Sequence, residues 1–252
     1  MSLQGKRVLV TRAAEEAGEL EALLRGRGAA PVRFPCIAFV DGPDVDRIVE
    51  ATRKGPDFIV VSSPQAARRL VDLIGRTSPT ALPTAASLIG RTSAPRFAAV
   101  GAATAALLPG DVIVPRSGTG AEALLAVLAP LVRGKRVLVP RAEAGTPALT
   151  DGLAAAGADV EALTLYRTVT PAAADLGALD GIDAISFASG SAVRGFVKLA
   201  GAPRANAAVT AAIGASTAAE AEKAGIRIDA YGGEGLAALC DALALAVSAR
   251  KG

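Results

Sequence analysis

Short aliphatic runs alternate along this chain with stretches whose leucines and alanines recur at helical spacing. "RVLVTR" (7–12) reads as a buried strand, and "EEAGELEALLRGRG" (15–28) places Leu20, Leu23 and Leu24 on one helical face, punctuated by Gly26 and Gly28. "APVRFPCIAF" (30–39) is extended again. The same rhythm returns in "RVLVPR" (136–141), "PALTDGLAAAGA" (147–158) and "DVEALTLYRTV" (159–169). Both stretches predict a β-α-β unit.

The repetition goes further. "GKRVLVTRA" (5–13) is rewritten as "GKRVLVPRA" (134–142), with Pro140 replacing Thr11. "DFIVVSSPQAARRLVDL" (57–73) matches "DAISFASGSAVRGFVKL" (183–199), and "AAVGAATAALL" (98–108) matches "AAIGASTAAEA" (211–221). "VIVPRSGTGAEALLAVL" (112–128) resembles "IDAYGGEGLAALCDAL" (228–243). Each copy thus predicts five strands alternating with helices, the signature of an α/β fold with a parallel, doubly wound, flavodoxin-like sheet.

The order of the pieces separates two arrangements. If the first unit is completed by the segments from 183 onward, residues 1–36 and 170–252 form a discontinuous first domain. Residues 37–169 are then a second domain inserted into it. The chain crosses between domains near 34–40 and 164–171, extended stretches that could pair as a two-stranded connector, and a cleft opens between the domains. The rival arrangement has two consecutive domains divided near residue 133. The segment 75–96, rich in Pro, Ser and Thr, reads as a surface excursion without an assigned role.

Composition narrows the chemistry. The 252 residues contain no histidine, which removes the usual neutral-pH base and the commonest metal ligand. Cys36 and Cys240 are the only cysteines, too few for a disulfide framework or a cysteine metal site. The net charge of +3 is spread along the chain, short of a nucleic-acid signature. No apolar run is long enough to span a membrane, and Glu15, Glu16 and Glu19 stand where an export signal would be apolar, so a cytoplasmic protein is expected. No Gly-x-Gly-x-x-Gly follows a strand, and no Walker-type lysine is present.

Ligands of open parallel sheets bind beyond the carboxyl ends of the strands, where helix N-termini point at anions. One domain offers Thr11, Arg12, Ser189, Gly190, Ser191, Gly214 and Thr217 there. The other offers Ser62, Ser63, Gly101, Thr104, Arg116, Pro140 and Arg141. Such hydroxyls, glycines and arginines suit a polar ligand bearing carboxylates or phosphates, while each hydroxyl alone also fits a helix cap. Tyr166 lies in the second crossing; its phenol could donate a proton, or its ring could seal the linker.

Taken in order, "VLVTRA", "FPCIAF", "DFIVVSS", "VGAATA", "VLVPRA", "GLAAAGADVEALTLYRTV", "DAISFASGSAV" and "AIGASTAAEAEKAGI" resemble the uroporphyrinogen-III synthases over nearly the whole chain. The resemblance implies two α/β domains joined by a two-stranded ladder, and an enzyme with no cofactor and no metal. It implies cyclisation of the linear tetrapyrrole hydroxymethylbilane, a polycarboxylate, with loss of water and inversion of ring D to uroporphyrinogen III, in heme biosynthesis. A monomer with no nucleic-acid or membrane partner is expected. Tyr166 in "LYRT" takes the place of the family's leaving-group donor; Thr217, Thr104, Ser63 and Ser189 take the places of cleft residues. Pro64 and Gln65 depart from the family pattern. The competing readings are a non-catalytic two-domain binding or sensor module and an inactive synthase-like domain.

Overall fold

A computed structural model describes residues 2–77, 95–118, 120–233 and 235–250. In chain order the elements are β1 (Arg7–Val10), α1 (Ala17–Gly26), β2 (Ala30–Arg33), β3 (Ala38–Asp41), α2 (Val45–Lys54), β4 (Phe58–Val61), α3 (Pro64–Thr77) and β5 (Arg96–Ala99). There follow α4 (Ala102–Ala105), α5 (Ala121–Leu128), β6 (Arg136–Ala142), α6 (Ala148–Ala155) and β7 (Asp159–Val169). The last are β8 (Ala184–Phe187), α7 (Gly190–Ala200), α8 (Ala202–Asn206), β9 (Val209–Ala212), α9 (Ala215–Lys223), β10 (Ala230–Tyr231) and α10 (Gly235–Ala249). The chain forms two compact units, one of Met1–Phe39 with Thr168–Gly252, the other of Val40–Arg167. Among the described residues no helix is long and apolar enough to cross a membrane. Most of the predicted 75–96 excursion lies outside the described residues.

The first unit holds a parallel sheet in the order β10-β9-β8-β1-β2. In its interior β8 and β9 are buried along their length, as a sheet covered on both faces requires. Side chains alternate across β1: Val8 and Val10 pack with Leu20, Leu24, Leu239 and Leu243 of α1 and α10. Leu9 faces the other way, into Phe34, Ile185, Phe187 and Phe196. There Phe196 meets Phe34 and Phe187 with ring centroids 5.7 and 5.6 Å apart.

The second unit holds the order β3-β7-β6-β4-β5, so the first crossing joins the sheet as an edge strand beside the second. Phe58, Val60, Val137 and Val139 pack there against Leu124, Leu128, Leu149 and Leu153. The strand expected over 112–116 shrinks to a single bridge between Ala98 and Ile113. Pro115 has no N–H to extend it, and among the described residues two backbone bonds, Ala99 N–H to Ile113 O and Ile113 N–H to Phe97 O, hold Ile113 to β5.

Equivalent strands therefore stand in equivalent places: β1 with β6, β2 with β7, β8 with β4, β9 with β5. Arg7 pairs with Ala30 in one sheet and Arg136 with Asp159 in the other, 129 residues on in both strands. One sheet thus takes its strands from both ends of the chain, and the other takes them from the middle.

Two glycines allow backbones to pass close together near the crossings. Gly195 lies mid-helix in α7, where glycine is unfavourable, and a Cβ there would overlap the Cys36 carbonyl. Gly42 follows β3, and a Cβ there would overlap the Thr164 carbonyl of β7; its N–H donates to Leu165 O at 2.9 Å.

Candidate active site

At the carboxyl edge of the first sheet, Thr11 is buried and its hydroxyl donates to Ser186 O at 2.7 Å. The buried Ser186 hydroxyl donates back to Leu9 O at 2.8 Å. Two side-chain bonds thus tie β1 to β8 near their carboxyl ends. Arg12 turns into its own 3-10 turn: Nε donates to Glu16 O at 3.0 Å and Nη2 to the Glu16 carboxylate at 2.9 Å.

Ser189 is extended, and its Oγ accepts from Ala192 N–H at 3.2 Å, capping α7. Ser191 Oγ accepts from Arg194 Nη2, while Arg194 Nη1 holds Glu220 of α9 at 2.7 Å. Gly214 opens α9 in extended conformation, and Thr217 is buried in its first turn. Helices α7 and α9 pack together. The opening of α7 at Gly190 lies against the Glu220 side chain of α9.

In the second unit Ser62 is exposed, and Ser63 Oγ accepts from Ala66 N–H at 3.1 Å, so α3 is capped as α7 is. Gly101 O accepts from Thr104 and Ala105 N–H after β5, and Thr104 is buried. Arg116 is exposed beyond the Ile113 bridge. Pro140 lies within β6, and the β6 ladder with β4 stops at Leu138. Arg141 donates from Nη1 to Gly145 O at 3.1 Å, while its buried Nε has no hydrogen-bond partner. A buried donor left without a partner carries a desolvation cost.

Tyr166 stands opposite Ala142 of β6, where the register shifts at Arg141/Ala142. Its side chain is buried, at 7 % exposure. The Arg69 guanidinium carbon lies 5.8 Å from the ring centroid, within cation–π range. Arg69 Nη1 in turn holds Asp41 Oδ1 at 2.9 Å. These two partners were missed at the sequence level. The signal was a mismatch inside the repeat: twelve residues after Asp57 stands Arg69, whereas twelve after Asp183 stands Gly195.

The strand carrying Tyr166 is further held by Asp44, whose carboxylate accepts from Thr164 N–H at 2.9 Å. That bond, with help from Arg47, keeps the Asp44 carboxyl below its ordinary pKa against a smaller opposing effect of burial. Burial raises the pKa of the Cys36 thiol, and also that of Cys240, leaving both as poor nucleophiles. Among the described residues, no three His, Cys, Asp or Glu gather as a metal-binding group.

The family model described as uroporphyrinogen-III synthase HemD matches residues 18–232. Among solved structures, the uroporphyrinogen-III synthetase of Helicobacter pylori 26695 is similar at 17% identity, with a TM-score of 0.58, covering 98% of this chain and 100% of that one. A mutant uroporphyrinogen III synthase of the extremely thermophilic bacterium Thermus thermophilus is similar at 21% identity, with a TM-score of 0.54, covering 97% of this chain and 100% of that one. At those identities the two structures establish the shared fold.

Proposed function

The chain belongs to the uroporphyrinogen-III synthase family, enzymes of heme biosynthesis, and on that premise we propose how its own residues close hydroxymethylbilane into uroporphyrinogen III. The family match over 18–232 carries the reading of the reaction. Local geometry supports the assignment of roles.

Tyr166 is the proton donor to the terminal hydroxyl of the bilane. The adjacent pyrrole nitrogen supplies the electron pair that breaks the C–O bond, and the protonated oxygen leaves as water. The substituted carbon of ring D then attacks the resulting azafulvene and forms a spiro intermediate. Fragmentation and reclosure invert that ring, and the proton lost on rearomatisation returns to the phenolate. Donation of this kind contributes about 10²- to 10⁴-fold when geometry is held.

Specificity is the harder task, because an unassisted bilane closes without inversion. The enzyme must fix a flexible polyanion in one fold before water leaves, which is an effect of proximity and orientation. The carboxylates meet amide groups at the openings of α7, α9 and α3, marked by Ser189, Gly190, Ser191, Gly214, Thr217, Ser62 and Ser63. Gly101 and Thr104 do the same after β5, and Arg141 offers its unpaired Nε. Arg12 joins them by exchanging the Glu16 carboxylate for a substrate one. Each contact spends little side-chain entropy, since caps and backbone amides are already ordered.

Purified protein is expected to convert freshly generated hydroxymethylbilane predominantly to the type III isomer, read by separating the two oxidised products. Type I product alone would overturn the assignment. Tyr166→Phe is expected to lower kcat at least about tenfold, the low side of the general-acid range.

A further inference from the structure

We propose that Arg69, anchored by Asp41, is a positioning residue that fixes the Tyr166 ring for proton delivery; this rests on the reading of Tyr166 as the donor. Three elements meet at this cluster: Arg69 on α3, Asp41 at the end of β3 and Tyr166 on β7. The Arg69 side chain is only 20% exposed, and its head group is held at 2.9 Å by Asp41 while its carbon sits 5.8 Å from the ring centroid. A guanidinium held within cation–π range of a phenol limits the swing of the ring, and so the direction of the O–H bond.

The backbone beneath this cluster is tied independently. Gly42 N–H donates to Leu165 O, and Asp44 holds Thr164 N–H, so the anchor of Arg69 and the strand of Tyr166 move as one piece. Orientation set at Asp41 is therefore delivered to the ring without slack from the loop.

The duplicated unit supplies the contrast. At the place matching Arg69 stands Gly195, and at the place matching Tyr166 stands Ile37. There the same helix meets the same crossing through bare backbone, Gly195 against Cys36. The fold closes at this point with no cation and no phenol. Ordering a long arginine costs side-chain entropy that the Gly195 version of the same junction avoids. Arginine and tyrosine enter together in the copy that carries the proposed donor, which points to a shared task beyond packing.

The test uses the full chain in a Tyr231→Phe background. The protein has two tyrosines and no tryptophan, and Tyr231 is exposed on β10, so that change leaves Tyr166 the only tyrosine fluorophore. Arg69→Gln is expected to lower kcat about tenfold with KM held within about twofold, the pattern of lost orientation. Tyr166 fluorescence anisotropy is expected to fall in the same protein, and Arg69→Lys to restore most of both. Adding Arg69→Gln to Tyr166→Phe should cost little more. An unchanged kcat in Arg69→Gln overturns the proposal, as does a rise in KM alone, or a lysine variant no better than glutamine. If Tyr166→Phe itself keeps wild-type kcat, the donor reading falls; if only Arg69→Gln keeps it, the positioning role alone falls.

Discussion

The two units share one plan at their amino edges and part company at their carboxyl edges. In the first, Asp183 Oδ2 accepts from Arg7 N–H at 2.8 Å, and Asp183 N–H donates to Arg7 O at 3.0 Å. In the second, Asp57 makes the same two bonds with Arg136 at 2.9 and 2.9 Å. Lys6 reaches Asp183 and Lys135 reaches Asp57, at 2.5 and 3.7 Å. Gly5 N–H meets Gly28 O as Gly134 N–H meets Gly157 O. The repeated Gly-Lys-Arg motif therefore ties three neighbouring strands together at their amino ends.

At the carboxyl edges the copies diverge residue by residue. The buried Thr11 and Ser186 pair of the first unit becomes Pro140 and Val60 in the second. The Gly195 junction becomes Arg69 over Tyr166. Duplication thus gave one frame and two different rims. Within the enzyme, the second rim carries the proposed proton donor, and each rim carries one serine-capped helix opening, α7 at Ser189 and α3 at Ser63.

The sharpest way to break this contrast is Gly195→Ala. The added methyl meets the Cys36 backbone, and a loss of about 2–3 kcal/mol in urea unfolding is expected, in the range for overpacking. Arg69→Ala at the matching place should cost the fold under about 1 kcal/mol, as expected for a group that packs partly at the surface. Equal stability of Gly195→Ala and wild type would show that close approach is not what demands glycine there.

Next in size is Thr11→Val, expected to cost about 1–2 kcal/mol by leaving a buried carbonyl without its hydroxyl donor. Because Ser186 answers Thr11 across the same two strands, Thr11→Val and Ser186→Ala should be non-additive in a double-mutant cycle. Strict additivity would mean that the two bonds act separately. Asp183→Ala should cost about 1 kcal/mol, with Asp57→Ala slightly less because Lys135 stands farther off than Lys6. A larger loss at Asp57 would reverse that ranking.

The smallest effect concerns a pair that only the first unit owns. Glu21 is buried and accepts from Arg33, and also from Arg25 at 3.1 Å, whereas Thr150 and Ala162 stand at the places matching Glu21 and Arg33. Arg33 first, and then Arg25, hold the Glu21 carboxyl below its ordinary pKa against burial, which opposes them. A depressed folded pKa stabilises above the unfolded value, near about 4.3, and that contribution is lost as pH falls through the folded pKa. Since both arginines are largely exposed, Glu21→Gln should cost at most about 1 kcal/mol at neutral pH. The gap from wild type should close on acidification below about pH 4, and a gap independent of pH would dismiss the ion pairs as its source.

The strands were the legible part of this chain. Buried parallel strands read as continuous aliphatic runs, and "FIVV" and "RVLV" declare themselves without neighbours. The repeats then revealed the order of assembly, since β1 and β2 lack inner partners until β8 and β9 arrive. Edges were harder. Ile113 gains only one bridge, and the crossing at 38–41 becomes a strand of the second sheet, because edge pairing depends on what happens to lie alongside. Ser63 and Ser189 could be read as either caps or ligand groups; both do cap helices. Arg69 was invisible for a plainer reason. An arginine on an amphipathic helix reads as solvated surface, and only the fold puts an aromatic ring beneath it.

The nesting of one unit within the other sets an order for biosynthesis. The inner unit is one unbroken segment and has every strand of its sheet once residue 169 has left the ribosome. The outer unit must hold β1 and β2 unfinished through that whole interval, since their neighbour β8 starts at Ala184. Its long-range closure is the entropically expensive, slow event, with an apolar two-stranded fragment left unprotected while it waits. Lesions in the outer sheet should therefore reduce yield in the cell more than their equilibrium cost suggests, because they lengthen the window in which aggregation competes.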